Sequence, residues 1–271
     1  MMIVIIRQDY LKKGDNMYAI VVKNDLVSKR IAQKLRERID IDDSEKPKII
    51  FSIGGDGTIL RAIHRFSDVL EEATIFGIHT GHLGFFMDFN EESLDEMIDS
   101  VINNTYKTND FNIAEATLTT KNKTFTYFAL NEFQIIEVDR VIVLDVYIDN
   151  LLFETFRGTG LCFSTPGGST GMNRSLGGAI VDPELRSIQV TELASINSNA
   201  YRTIGSPLML GTNRVLHLKP EAPVDIDFCY DHLTMNIRGM IEFRCALSDK
   251  TVKIAYNGNK PFFERVKRAF L

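Results

Sequence analysis

Residues 47–66 read as a buried strand, a glycine turn and a helix in direct succession, and few folds accommodate that arrangement. The apolar run Pro47-Lys48-Ile49-Ile50-Phe51-Ser52 leads into Ile53-Gly54-Gly55-Asp56-Gly57-Thr58, and Thr58-Ile59-Leu60-Arg61-Ala62-Ile63 then opens a helix. Parallel strands need a crossover, usually a helix, so strand–turn–helix units build parallel sheets. The same rhythm flanks the turn. A strand at 18–23 precedes an amphipathic helix at about 25–39, with Leu26, Ile31, Leu35 and Ile39 roughly on one face. After the second helix, about 58–66, come a strand at 74–79 and a helix at 91–103 carrying Leu94, Met97, Ile98 and Val101. This part should be a doubly wound α/β domain.

The rhythm changes near Lys107. Period-2 segments dominate at 114–119, 124–136, 141–148 and 152–156, with Asp149-Asn150 turning between the last two. Residues 184–194 could form one more helix. Strands return at 215–218, 224–230 and 241–247, and the tail offers a strand at 252–256 and a helix at 261–270. The expected division is an α/β domain over 1–107 and a β-rich, sandwich-like domain over 108–248. The tail, 249–271, should return to the first domain. An early apolar run at 3–6 is separated from this pattern by polar residues. Lys12-Lys13-Gly14-Asp15-Asn16 can be encoded by a purine-rich ribosome-binding sequence, so Met17 is an alternative start.

Composition narrows the function classes. With 271 residues the chain can bury a core of one large or two modest domains. A net charge of −5 argues against non-specific nucleic-acid binding. No apolar run approaches the roughly 20 residues of a membrane span, and the first residues lack a signal peptide's basic flank. Cys162, Cys229 and Cys245 are scattered and odd in number, which reads as reduced thiols in a cytoplasmic protein.

Three segments carry chemistry. Three glycines at a strand-to-helix turn let the backbone approach a ligand and aim amides at phosphate. The turn fits neither the Rossmann fingerprint nor the P-loop. Asp56 is out of place in a plain phosphate cradle, because a carboxylate repels phosphate. Near a helix N-terminus it is favoured as the anion and could take a proton from a hydroxyl. Asn131-Glu132 interrupts the apolar strand 127–136, and a polar pair there costs stability unless it finds partners. It could grip vicinal hydroxyls of a ribose, or simply face solvent on an edge strand. Seven of the 18 glycines fall between Gly158 and Gly178, around Ser164-Thr165-Pro166-Gly167-Gly168-Ser169-Thr170-Gly171-Met172-Asn173. That density offers amides and hydroxyls to a nucleotide. His79 and His82 lack a third ligand for a structural metal, and Asp231-His232 could occupy a turn or join a site.

Gly54-Gly55-Asp56-Gly57, Asn131-Glu132 and 164–175 followed by Gly177-Gly178 resemble the NAD kinases in order and spacing, and 77–85 adds to the resemblance. It spans the chain from Met17. The resemblance implies phosphorylation of the 2′-hydroxyl of the adenosine ribose of NAD, with ATP as donor and Mg²⁺ carried on ATP and not by protein ligands. Asp56 would activate the hydroxyl. Gly54, Gly55, Gly57 and Thr58 would form the phosphate-donor loop, with Gly57 also near NAD. Asn131 and Glu132 would hold the ribose, and Thr170, Gly171, Met172, Asn173 and Ser175 would line the adenine and nicotinamide ends. Arg157, Thr159, Ala194 and His232 match dinucleotide-pocket positions. The resemblance further implies a site between the domains, NAD and ATP or polyphosphate as partners, and a homodimer or homotetramer in which a neighbouring subunit can complete the pocket. Two departures stand out: many members have an acidic residue at Thr159, and Ala-Tyr at Gly171-Met172. A lipid kinase of the diacylglycerol type and a non-catalytic dinucleotide sensor are the rival readings.

Overall fold

The computed structural model describes residues 18–81, 83–258 and 261–271. The apolar run at 3–6, the start at Met17 and His82 lie outside the described residues. The chain up to Tyr106, with Ala255–Asn257, makes one unit, and Lys107–Ile254 with Gly258–Leu271 makes the other.

In the first unit, strands β1 (Tyr18–Val22), β2 (Ile49–Gly54) and β3 (Thr74–His79) pair in parallel in that order. Helices α1 (Leu26–Arg36), α2 (Asp56–Arg65) and α3 (Leu94–Ile102) alternate with them along the chain. Every residue of β2 is buried, as expected of a parallel strand covered on both faces. Phe51, Phe76 and Phe89 pack against one another, and Ile31 and Leu35 of α1 and Met97 and Val101 of α3 join the same core, with Ala255 from the tail. α1 opens at Asp25, whose carboxylate accepts the Ser28 N–H at 2.8 Å. It ends at Arg36, short of the expected 39, although Ile39 still reaches the core. α2 begins two residues earlier than the apolar pattern indicates, because Gly55 takes the capping position and its carbonyl accepts the Thr58 N–H at 2.7 Å.

The second unit is antiparallel. Its strands are β4 (Lys107–Thr120), β5 (Thr124–Ala129), β6 (Glu132–Ile136), β7 (Ile142–Ile148), β8 (Leu151–Gly158), β9 (Gly160–Ser164), β10 (Ser187–Leu193), β11 (Leu208–Gly211), β12 (Val215–Lys219), β13 (Val224–Tyr230) and β14 (Leu233–Tyr256), the last two residues of β14 belonging to the first unit. Strand β6 lies between β13 and β9, and β10 lies between β9 and β11. Phe133, Phe156, Phe163, Phe228 and Phe243 are fully buried in its core.

Three readings of the sequence change here. Residues 184–194 are not a helix: β10 occupies 187–193, paired on both edges, and its Ile188, Val190 and Thr191 are β-branched residues that suit a pleated surface. The strand expected over 124–136 is two strands, broken at Leu130-Asn131 where the chain leaves β4 for β9 and β13. The segments 241–247 and 252–256 are parts of the single strand β14. After β9 the glycine-rich segment folds into a 3₁₀ turn, Gly167–Thr170, and one turn of helix, α4 (Met172–Ser175). A terminal helix, α5 (Phe262–Phe270), ends the chain. Among the described residues no helix is long and apolar enough to cross a membrane.

Candidate active site

The first group of residues sits where β2 runs into α2. Gly54 adopts φ +155°, and a Cβ there would collide with the Thr58 side chain and lie 2.8 Å from Lys23 Cβ. Thr80 donates its N–H to the Gly54 carbonyl at 3.0 Å, which fixes the turn from the far side of β3. Asp56 is the first residue of α2, half-buried, and its two carboxylate oxygens accept the N–H groups of Phe85 (2.8 Å) and Phe86 (3.1 Å). Any side chain at Gly84 would run into that carboxylate. The motif residues 84–86 therefore serve to aim Asp56. At Gly55 and Gly57 a Cβ would meet no protein atom within 4 Å and φ is not positive, so internal packing gives no reason for glycine. The Thr58 N–H is spent inside the turn; Arg61 donates to the Thr58 hydroxyl at 3.3 Å.

The second group gathers at the start of β6. Between β5 and β6 the amides of Leu130 and Asn131 have no strand partner, and Asp231 supplies one: its carboxylate accepts them at 3.1 and 2.7 Å. Thr165 ties the same corner through its hydroxyl, which donates to the Leu130 carbonyl, and its N–H, which donates to the Asn131 carbonyl at 2.9 Å. Gly168 presses so closely on the Asn131 backbone that no side chain fits there. Glu132 is 6% exposed, and its Oε2 is buried with no hydrogen-bond partner, as is Asn131 Oδ1. Burial first, and the Asp231 charge second, push the Glu132 carboxyl up to about 8, against a hydrogen bond from Gln134 that favours the anion. Glu132 is therefore mostly protonated at neutral pH and can both donate and accept.

The glycine-rich segment closes over this corner. A Cβ on Gly171 would lie 3.5 Å from Glu132 Oε2, so Gly171 faces Glu132. Thr170 is half-buried, and Met172 and Ser175 are exposed. Asn173 is fully buried, and its side-chain amide donates to the carbonyls of Ser169 (3.3 Å) and Ala179 (3.1 Å), which makes it a brace of the segment.

Arg157, Thr159 and Ala194 form a third group. The Thr159 N–H donates to the Leu193 carbonyl at 3.0 Å, and a Cβ at Gly158 would crowd the Ala194 carbonyl at 2.9 Å. The Arg157 guanidinium lies 4.2 Å over the Tyr201 ring. This group is not beside Glu132: Glu132 pairs with Ser164 at one end of β6 and Ile136 with Gly160 at the other. The two ends are four residue steps apart along the strand, about 13 Å. His232 is exposed at the β13–β14 turn, next to Asp231. The role of Asp231 is the feature least visible in the sequence: only its place beside a strand end marked it, and the tie to Leu130 and Asn131 crosses 100 residues.

Comparison with known proteins covers most of the chain. A family described as the ATP-NAD kinase N-terminal domain matches residues 7–106, and the ATP-NAD kinase C-terminal domain matches 130–225. NAD kinase 1 of Bacillus subtilis is 39% identical over 260 residues, covering 94% of this chain and 98% of its own. NAD kinase of Geobacillus stearothermophilus is 41% identical over 261 residues, covering 94% and 96%. Two solved structures share the fold. An NAD kinase from Archaeoglobus fulgidus in complex with ATP has TM-score 0.73 and 23% identity, covering 93% of this chain and 97% of that one. Yeast NADH kinase complexed with NADH has TM-score 0.70 and 22% identity, covering 81% and 64%. Nothing among these findings supports a lipid kinase or a non-catalytic sensor. The chain belongs to the ATP-NAD kinases, and its reaction is the phosphorylation of NAD to NADP with ATP as phosphate donor.

Proposed function

We propose that Asn131 and Glu132 seat the adenosine ribose of NAD and that Asp56 takes the proton of its 2′-hydroxyl as phosphate is transferred. The observation that carries this is the pair of buried, unpartnered oxygens, Asn131 Oδ1 and Glu132 Oε2, on a backbone corner tied by Asp231 and Thr165. A buried polar atom without a partner costs stability, and a ribose diol supplies two O–H donors and two acceptors. Asp56 is aimed by two amides, and the N-terminal end of α2 suits phosphate oxygens, although its Thr58 N–H is already bonded to the Gly55 carbonyl. The open space at Gly55 and Gly57 supports an approach of the donor from that side. Met172 and Thr170, with Gly171, would flank the dinucleotide, and Ser175 would lie at its margin.

Among the described residues no three His, Cys, Asp or Glu side chains come together in a way that could hold a metal ion. Mg²⁺ would reach the site on the triphosphate, and no step is assigned to a metal held by the protein. Arg157, Thr159 and Ala194, remote from Glu132 along β6, fit a contribution to the site of a neighbouring protomer in a homo-oligomer. The three free thiols suit a reducing, cytoplasmic setting.

The test is a coupled assay with ATP, Mg²⁺ and NAD, read by an NADP-specific dehydrogenase. Asn131→Ala and Glu132→Ala should raise KM for NAD by about tenfold or more while KM for ATP stays near its original value, the scale of a lost buried hydrogen bond. Unchanged KM for NAD in both variants would refute the ribose seat.

A further inference from the structure

Asp231 reaches across 100 residues of sequence to the pair that seats the ribose. It stands in the turn between β13 and β14 at φ +51°, in the left-handed region that Asp and Asn tolerate better than other side chains. Its carboxylate accepts both Leu130 N–H and Asn131 N–H, and its own N–H donates to the Glu132 carbonyl at 3.0 Å. Three hydrogen bonds from one residue thus bracket Asn131 and Glu132. Those to the carboxylate are charge-assisted, roughly twice as strong as neutral ones. A turn alone requires none of them: the β13–β14 pair Tyr230↔Leu233 closes it.

Resting on the ribose seat proposed above, we propose that Asp231 is a positioning residue for NAD: it sets the orientation of Asn131 and Glu132 and places a fixed negative charge beside Glu132. Its action passes through those two residues and needs no contact with NAD. Thr165 holds the carbonyl side of the same corner, so the backbone position does not rest on Asp231 alone. What Asp231 adds is the amide side and the charge.

The charge gives a kinetic signature. Glu132 is faced by Asp231 from the turn, by the Cys162 thiol from β9 and by Gln134 on its own strand. Burial and Glu132 together raise the Cys162 thiol well above its ordinary value, so that thiol stays neutral through the working range. Asp231 is then the charged neighbour that raises Glu132, after burial. The pH dependence of kcat/KM reports the ionisation of the free enzyme, so the limb due to Glu132 should move to lower pH when the Asp231 charge is removed. That direction holds whichever form of Glu132 binds NAD.

The variants Asp231→Asn and Asp231→Gly test this, since both residues suit the left-handed turn. Asn offers one carbonyl oxygen where two amides must be accepted, and Gly offers none. The expected result is a rise of about tenfold or more in KM for NAD, the scale of a lost hydrogen bond to a charged group, with KM for ATP within about twofold. The Glu132 limb of kcat/KM for NAD should move to lower pH in both variants and be absent in Glu132→Gln. Folded variants with KM for NAD within about twofold of the original and an unmoved limb overturn the proposal. So does a general loss, in which KM for both substrates and the melting temperature change together with no shift of the limb. If Asn131→Ala and Glu132→Ala leave KM for NAD unchanged, the ribose seat itself falls and takes this proposal with it. That outcome is distinct, because it is read from variants that leave Asp231 intact.

Discussion

Asp56 and Glu132 are two carboxylates in opposite surroundings. Asp56 accepts two backbone amides, and Glu132 is buried with one oxygen unpartnered. Replacing Asp56 by Asn keeps the shape and removes the proton acceptor, so kcat should fall at least ~10²-fold, the scale of a lost general base. Single-turnover measurements with near-normal rates would rule Asp56 out as the base. Glu132 has a consequence for stability. Its folded-state value, about 8, lies above the ordinary 4.5, so the folded chain holds a proton that the unfolded chain releases as pH rises between those values. Stability from this group is thus fully present below pH ~4.5, declines as pH rises and is lost above about 8. Glu132→Gln removes that slope. The unfolding free energy of the variant, read from urea unfolding, should gain on the original as pH rises from 5 to 8 and keep a constant lead above, by a few kcal/mol in all, each pK unit being worth ~1.4 kcal/mol. Asp56, Asn131 and Glu132 were legible in the sequence because each is a polar residue where an apolar or phosphate-binding pattern calls for something else. Asp231 could be marked only as a candidate beside a strand end. Its role could not be read, because the donors it satisfies lie in a distant part of the chain, and no local pattern records which backbone amides are left over when a sheet changes partners.

At the scale of elements, the turn before α2 shows how a local cost can mark a function. Gly57 is the second residue of α2, where glycine costs at most the roughly 0.8–1 kcal/mol relative to alanine that it costs in a helix interior, and a Cβ there meets nothing within 4 Å. Gly57→Ala should therefore stabilise the protein by up to about 1 kcal/mol in urea unfolding while raising KM for ATP or NAD. Stabilisation without any kinetic change would remove the functional reason for this glycine. The parallel αβ rhythm of the first unit was readable because each strand is mostly apolar and each helix keeps one apolar face. β10 does carry a strand's alternation in Ile188-Gln189-Val190-Thr191, but over only four residues, too few to outweigh a helical reading of 184–194; in the fold Gln189 and Thr191 are buried as fully as their apolar neighbours. The break between β5 and β6 falls at the polar pair Asn131-Glu132, which by itself can sit within one strand; only the change of neighbours shows that one strand ends there and the next starts.

At the scale of the whole molecule, β8 bears a run of exposed apolar residues. Leu151 is 68% exposed, Leu152 48% and Phe153 39%, with Val143 of the paired β7 also exposed. Covering such a row is the usual role of a subunit interface. Sedimentation should show a dimer or larger, and Leu152→Glu with Phe153→Glu should shift the protein toward monomer and lower activity if a neighbour completes the pocket. A monomer in the unmodified protein would refute the homo-oligomer. The tie from Asp231 to Leu130 and Asn131 also dictates an order of events during synthesis. A nascent chain can form the β2–α2 turn as soon as its first hundred residues have left the ribosome. The amides of Leu130 and Asn131 must wait for a residue made 100 positions later, so the glycine turn before α2 can be in place well before the corner that carries Asn131 and Glu132 is fixed.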